Sequence, residues 1–253
     1  QTCALPILAL TDIDKAGRDL FVDWCRQAGM TIRVDKVGNI FARRPGRNAD
    51  VAPVVTGSHL DSQPTGGKFD GVYGVLSGLE VVRALNDAGY ETEAPVEVAV
   101  WTNEEGSRFA PAMVSSGVFA KVFDLDYGLS REDIDGRTMG QELERIGYAG
   151  PDQANIDGHP VGAYFEAHIE QAPVLDRAGI PIGVVTGIQG TSRYRVTVCG
   201  RAGHAGTVPQ EERSDAMMAA ARIVAGLDRE AKAIPGLMLT VGMMRLQPNA
   251  PSV

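Results

Sequence analysis

Two runs of β-branched and apolar residues, Pro53-Val54-Val55 and Val96-Glu97-Val98-Ala99-Val100-Trp101-Thr102, read as strands of a sheet interior. Between them Val72, Val75, Leu76, Leu79, Val82 and Leu85 recur at i, i+3, i+4, i+7 spacing. That spacing predicts an amphipathic helix to about Ala88, closed by Gly89. Strand, helix and strand form a β-α-β unit, so the two strands should run parallel and lie close in the sheet. Upstream, Thr11 with Asp14 predicts a helix start of the capping-box kind, with Asp in place of Glu. Ile13, Leu20, Phe21, Trp24 and Ala28 form its apolar stripe, and Gly29 ends it. Thr31–Val34 and Val37–Ala42 read as two short strands turning at Asp35-Lys36.

Further on, Asp124–Tyr148 reads as polar and helical, with Met139, Leu143 and Ile146 as an inner face. Tyr164–Glu170 is a further strand, and Ile182–Gly190 extends it before breaking at Gly187 and Gly190. The pattern then restarts with a strand at Tyr194–Cys199, a helix at Ser214–Lys232 and a strand at Leu237–Met243. This is a second β-α-β unit, and it puts a domain boundary near Gly187, with domains 1–187 and 188–253. The expected fold class is α/β, a mostly parallel sheet joined to a smaller α+β domain.

The chemistry concentrates in the loop after the first core strand, Thr56-Gly57-Ser58-His59-Leu60-Asp61-Ser62-Gln63-Pro64-Thr65-Gly66-Gly67-Lys68-Phe69-Asp70-Gly71. A glycine-rich strand-to-helix loop lets the backbone turn tightly and approach a ligand, and α/β folds place sites there. His59 and Asp61, two apart at a strand end, project to one side. Asn103-Glu104-Glu105-Gly106 closes the neighbouring strand, and parallel strands share a carboxyl edge. His59, Asp61, Asp70, Glu104 and Glu105 are therefore expected to converge. Carboxylates gathered at one edge repel unless a cation sits among them, and imidazole with carboxylate suits zinc and similar ions. A metal site is the reading that follows.

His168, at the end of the Tyr164–Glu170 strand, is a further candidate ligand. Adjacent carboxylates at a strand end point in opposite directions, so Glu104 and Glu105 should divide between a metal ligand and a general base. His159, in Asp157-Gly158-His159-Pro160, reads as a surface turn residue, and His204 as a glycine-flanked loop histidine.

Composition narrows the class. Across 253 residues, 24 basic and 32 acidic side chains give a net charge of -8, which argues against nucleic acid or anionic membrane as partner. No apolar run approaches the roughly 20 residues of a membrane helix. The apolar opening Cys3–Leu10 lacks a basic leader and a cleavage site, so it is not read as a signal peptide. Cys3, Cys25 and Cys199 are odd in number and widely spaced, which fits reduced thiols and a cytoplasmic protein.

Four ordered motifs carry a resemblance: His59-x-Asp61; Gly66-Gly67-Lys68-Phe69-Asp70-Gly71-Val72-Tyr73-Gly74; Thr102-Asn103-Glu104-Glu105-Gly106-Ser107-Arg108-Phe109; and Glu166-Ala167-His168-Ile169-Glu170-Gln171. Together they resemble the M20 metallopeptidase-like amidohydrolases. More narrowly they resemble the hydantoinase/carbamoylase branch, which comprises N-carbamoyl-L-amino-acid hydrolases, allantoate amidohydrolases and β-ureidopropionases. The resemblance implies a catalytic domain of the phosphorylase/hydrolase kind with an inserted lid that mediates homodimerisation. It implies two divalent ions, zinc or else manganese, cobalt or nickel. His59 would bind one, Asp70 would bridge, Glu105 would bind the other, and His168 would complete the first. Asp61 would orient His59, Glu104 would be the general base, and Gln171 and His204 would contact a small ureido substrate. A peptidase or N-acyl deacylase is the alternative within enzymes, and a fragment without activity the alternative outside them. Ala172, Thr207-Val208-Pro209-Gln210 and Ser252 depart from the family pattern. The family's fifth metal ligand, a His, and its carboxylate-binding Arg are expected beyond Val253, with the sheet and the lid both unfinished.

Overall fold

A computed structural model describes residues 7–250. Cys3 and Ser252, both singled out in the sequence, lie outside the described residues. The chain divides between Gly183 and Val184 into two compact units.

The first unit opens with α1 (Asp12–Gln27), whose start is capped as expected: the Thr11 side chain accepts from the Asp14 N–H. Asp14 does not complete a capping box. Its carboxylate takes the Leu10 N–H at 2.7 Å and the Arg18 Nε at 2.9 Å, and both side chains are fully buried. Phe21, Trp24 and Ala28 of the expected stripe pack on the core, and this ion pair lies on the same buried face. Asp14, Arg18, Phe21, Val22 and Cys25 are buried, while Ile13 and Leu20 stand about half exposed. Arg18 also donates to the Gly38 carbonyl and to Thr102 Oγ1, so a charged residue braces the helix against the sheet.

β1 (Thr31–Val34) and β2 (Ile40–Arg44) form a hairpin, followed by β3 (Val54–His59), α2 (Val72–Asp87) and β4 (Val96–Trp101). α3 (Val114–Phe119), α4 (Leu125–Leu129) and α5 (Met139–Ile146) come next, then β5 (Ala163–Phe165) and α6 (Val174–Ala178). The sheet order is β1-β2-β4-β3-β5. β3 runs parallel to β4 and to β5, as the β-α-β connection demands. β2, however, pairs antiparallel with both β1 and β4, so the sheet is mixed and not mostly parallel. The short turn between β1 and β2 can only join antiparallel strands, which fixes the first of these pairings.

The two faces of the sheet are covered differently. On one, Val75, Leu79 and Val82 of α2 and Phe21, Val22 and Cys25 of α1 pack with Ile40, Ala42, Val98 and Val100. Each fully buried aliphatic side chain there contributes roughly 1.5–3 kcal/mol. On the other, Phe41, Val55, Ala99 and Phe119 form a smaller aromatic cluster with Trp101.

The polar stretch 124–148 is not one helix: the chain leaves it between α4 and α5 and re-enters through a capping box of Thr138 and Gln141. Its inner residues Met139, Leu143 and Ile146 are buried as expected.

The strand expected over Tyr164–Glu170 is laddered only at Ala163–Phe165. In the second unit α7 (Ala216–Ala233) forms as expected, with Asp215 capping Met218 N–H. The segments Ile182–Gly190, Tyr194–Cys199 and Leu237–Met243 carry no strand pairing among the described residues. Their β-branched residues are largely exposed, and an extended segment becomes a strand only when a neighbour supplies ladder partners.

Candidate metal centre

β3 and β4 end side by side, with His59 in register with Trp101. Beyond Trp101 the chain turns through Asn103, which sits at φ 54° and is held by its own side chain: Nδ2 donates to the Phe109 carbonyl at 2.7 Å. This turn delivers Glu104 and Glu105 to the carboxyl edge. Both are fixed by Asp61, whose Oδ1 and Oδ2 accept their backbone N–H groups at 3.1 and 3.2 Å.

Among the described residues His59, Asp70 and His168 form a metal-capable cluster, with ligand atoms all within 4.8 Å of one another. His59 Nδ1 bonds the Asp61 main-chain carbonyl at 2.8 Å, and His168 Nδ1 bonds the Ile169 carbonyl at 2.8 Å. A carbonyl can only accept, so each Nδ1 carries the hydrogen and each Nε2 is left as a lone-pair donor. The two Nε2 atoms lie 3.9 Å (His59) and 3.2 Å (His168) from Asp70 Oδ1. That oxygen is buried and has no hydrogen-bond partner, while Oδ2 accepts from Gln171 Nε2 at 2.7 Å. Paired imidazoles with their tautomers set by carbonyls, facing an orphaned carboxylate oxygen, match how histidine ligands are held around a divalent ion. The residues present fit a metal.

Glu105 stands outside this trio. Its Oε2 accepts from Gln63 Nε2 at 2.7 Å, and Ser107 Oγ in turn bonds Gln63, so Gln63 fixes its orientation. The other oxygen, Oε1, is buried and unpartnered, a second orphan that a cation would satisfy. Glu104 Oε2 approaches His59 Nε2 at 3.5 Å. Burial raises the Glu104 carboxyl, and the Glu105, Glu166 and Asp70 carboxylates add to that against the opposing pull of His59. Burial likewise pushes Asp61 up to about 7, against His59 and the two N–H donors. At His59 burial disfavours the charged ring, but Asp61 and Glu104 outweigh it and hold the group above its ordinary value.

These positions refine the sequence reading. Asp61 is the residue expected to orient His59. The structure gives that task to its main-chain carbonyl, and the carboxylate, 3.8 Å from Nδ1, holds the two glutamates instead. Gln171, expected to touch substrate, is engaged with Asp70. His204 lies exposed in the second unit, where Nδ1 accepts from the Gly206 N–H and leaves Nε2–H as a donor.

His159 is not a surface residue. It is buried, stacked on Phe41 at 4.2 Å, and its Nε2 donates to the fully buried Glu97 at 2.6 Å while Nδ1 accepts from Arg33.

The family model for peptidase family M20/M25/M40 matches residues 55–251, a span that holds every one of these site residues. The chain belongs to this family. M20 enzymes are metal-dependent, in keeping with the cluster. An N-carbamoyl-L-amino-acid amidohydrolase of Rhizobium meliloti is 49% identical over 245 residues, covering 96% of this chain and 58% of that protein. A ureidoglycolate hydrolase of Arabidopsis thaliana is 34% identical, covering 95% of this chain and 52% of that protein. The crystal structure of an amidase of the hydantoinase/carbamoylase family from Burkholderia vietnamiensis superposes with a TM-score of 0.89 at 52% identity. It is matched over 99% of this chain and 60% of its own. The chain thus spans a little over half the length of the curated relatives it matches.

Sequence reasoning on the M20 motifs passed over Gln63, Arg18 and Ser58. Each has at least one partner 42 or more positions away, and only Gln63 and Ser58 lie in the glycine-rich segment 56–71.

Proposed function

We propose that the protein to which this chain belongs is a metal-dependent amidohydrolase that cleaves the carbamoyl C–N bond of ureido acids, N-carbamoyl-L-amino acids foremost. The observation that carries the proposal is the pair of histidines presenting Nε2 to the orphaned Asp70 oxygen, with Glu104 beside them. The 49% identity to an N-carbamoyl-L-amino-acid amidohydrolase supports the substrate class.

In this reading His59, Asp70 and His168 would hold one divalent ion, and Asp70 with Glu105 a second, zinc or else manganese, cobalt or nickel. The chemistry that such ions supply is Lewis acidity, polarising a carbonyl and acidifying water. Glu104, held by its backbone N–H on Asp61 and raised by burial, takes the proton of the attacking water. It then returns a proton to the departing nitrogen. A carbamoyl amino acid and one water yield the amino acid, carbon dioxide and ammonia. The exposed Nε2–H of His204 is suited to polarising a substrate carbonyl, in the manner of a lid residue acting within a homodimer. A cytoplasmic location accords with this reading.

The test is a substrate panel on the purified, metal-loaded protein. Ammonia release from N-carbamoyl-L-amino acids above that from allantoate and ureidoglycolate supports the proposal. Release of a carboxylic acid from N-acyl amino acids, with no ammonia from any ureido compound, would replace it with a deacylase.

A further inference from the structure

The β3–β5 ladder is very short. It pairs Val54 with Ala163, Val55 with Tyr164 and Thr56 with Phe165, and there it stops. The two candidate histidine ligands both lie past that point, His59 three residues beyond Thr56 and His168 three residues beyond Phe165. No backbone ladder fixes the spacing between them, although a metal ligand pair tolerates only a few tenths of an ångström of error.

Side chains take over where the ladder ends. Glu166, the first residue after β5, accepts from Ser58 Oγ at 2.5 Å with Oε1. Its Oε2 accepts from Tyr164 Oη at 2.9 Å. Tyr164 Oη in turn accepts from Trp101 Nε1 at 2.9 Å and reaches the Gly57 carbonyl at 3.3 Å. Ser58 is fully buried and directly precedes His59, while Glu166 stands two residues before His168. One carboxylate therefore ties the last turn of each ligand-bearing segment to the other and to β4. α2 closes the arrangement from the side: a Cβ on Gly74 would stand 2.6 Å from the Ala167 carbonyl and 2.8 Å from Ser58 Cβ. This close approach leaves the segment no room to drift towards the helix.

We propose that Glu166 is a positioning residue for the metal centre, a side-chain clamp on Ser58 that sets the His59–His168 separation in place of missing backbone pairing. The inference rests on the metal-site reading above. It assigns Glu166 a geometric task, which a neutral side chain of the same shape can perform: a glutamine amide at this position would accept from Ser58 Oγ through its oxygen and donate to Tyr164 Oη through its nitrogen.

The experiment measures Zn2+ affinity by chelator competition and the visible spectrum of the Co2+-loaded protein. It compares wild type, Glu166→Ala, Glu166→Gln, Ser58→Ala, the Glu166→Ala/Ser58→Ala double variant and His168→Ala, each checked for folding by circular dichroism. Glu166→Ala is expected to weaken Zn2+ binding about 10- to 100-fold and to alter the Co2+ spectrum. Ser58→Ala should lose a similar amount, with little further loss in the double variant, because the two residues form one clamp. Glu166→Gln should restore binding to within a few-fold. Wild-type affinity in Glu166→Ala, or additive losses in the double variant, would overturn the clamp. A Glu166→Gln variant as weak as Glu166→Ala would overturn the geometric role in favour of a charge effect. Unchanged metal binding in His168→Ala would instead indict the metal-site reading itself.

Discussion

Gly71 faces the His59 imidazole so closely that a Cβ at that position would stand 2.4 Å from Nδ1 and 2.4 Å from Cε1. Its φ of 68° is also left-handed, which side-chain-bearing residues adopt at a cost. Both facts forbid any other residue at this point, one residue after Asp70 and at the cap of α2. Gly71→Ala should therefore displace the imidazole and disconnect it from the Asp61 carbonyl. The expected outcome is loss of Zn2+ binding by at least about tenfold, measured by metal content after dialysis, with the far-ultraviolet circular dichroism preserved. Wild-type metal content would show that the ring has room the geometry denies it.

Glu104 and Glu105 are adjacent but differently held, and they should separate in a metal assay. Glu104→Gln is expected to keep its metal and lose roughly 10²- to 10⁴-fold in turnover, the ordinary worth of a positioned general base. Glu105→Gln should lose metal, because its buried Oε1 is the oxygen left without a partner. Metal content by mass spectrometry beside ammonia release decides it; the opposite pattern would exchange the two roles.

Acid sensitivity should trace to Glu142. It is buried, and although desolvation works against its charge, hydrogen bonds from Arg145 and Arg108 bring its carboxyl down to about 2. A carboxyl depressed on folding stabilises the protein above its unfolded value near 4.5 and loses that contribution as pH falls towards 2. Glu142→Gln should cost about 3 kcal/mol at most at pH 7 and flatten the pH dependence of denaturant stability between those limits. An unchanged slope in that window would remove Glu142 as its source.

The buried His159–Glu97 pair should matter for stability and not for the metal. His159→Ala leaves Glu97 uncompensated except for Arg43 at 3.5 Å, and breaking a buried pair costs roughly 3 kcal/mol. Glu97 sits four residues before Trp101, the register partner of His59, so Zn2+ affinity should hold while the urea midpoint falls. A midpoint within error of wild type would show that the pair is solvated.

From the sequence alone the periodicities of 72–85 and 96–102 determined a parallel β3–β4 pair, and with it the shared edge at which His59 and the Glu104-Glu105 turn follow their strands. These are local signals, in which spacing along the chain fixes a face or an edge. What the tertiary structure decided is every assignment that depends on a partner distant in sequence. Arg18 is buried in the core where the Gly38 carbonyl and Thr102, 20 and 84 positions on, receive it, which the apolar stripe of α1 does not reveal. His159 lies in what reads as a turn, yet Glu97, 62 positions earlier, draws it inside. Asp61 holds the two glutamates through backbone N–H groups 43 and 44 positions on. Apolar period records which side of an element faces the core; it carries no record of which polar group waits there. A buried charge is settled by its partners, and the chain must fold before the distant ones arrive.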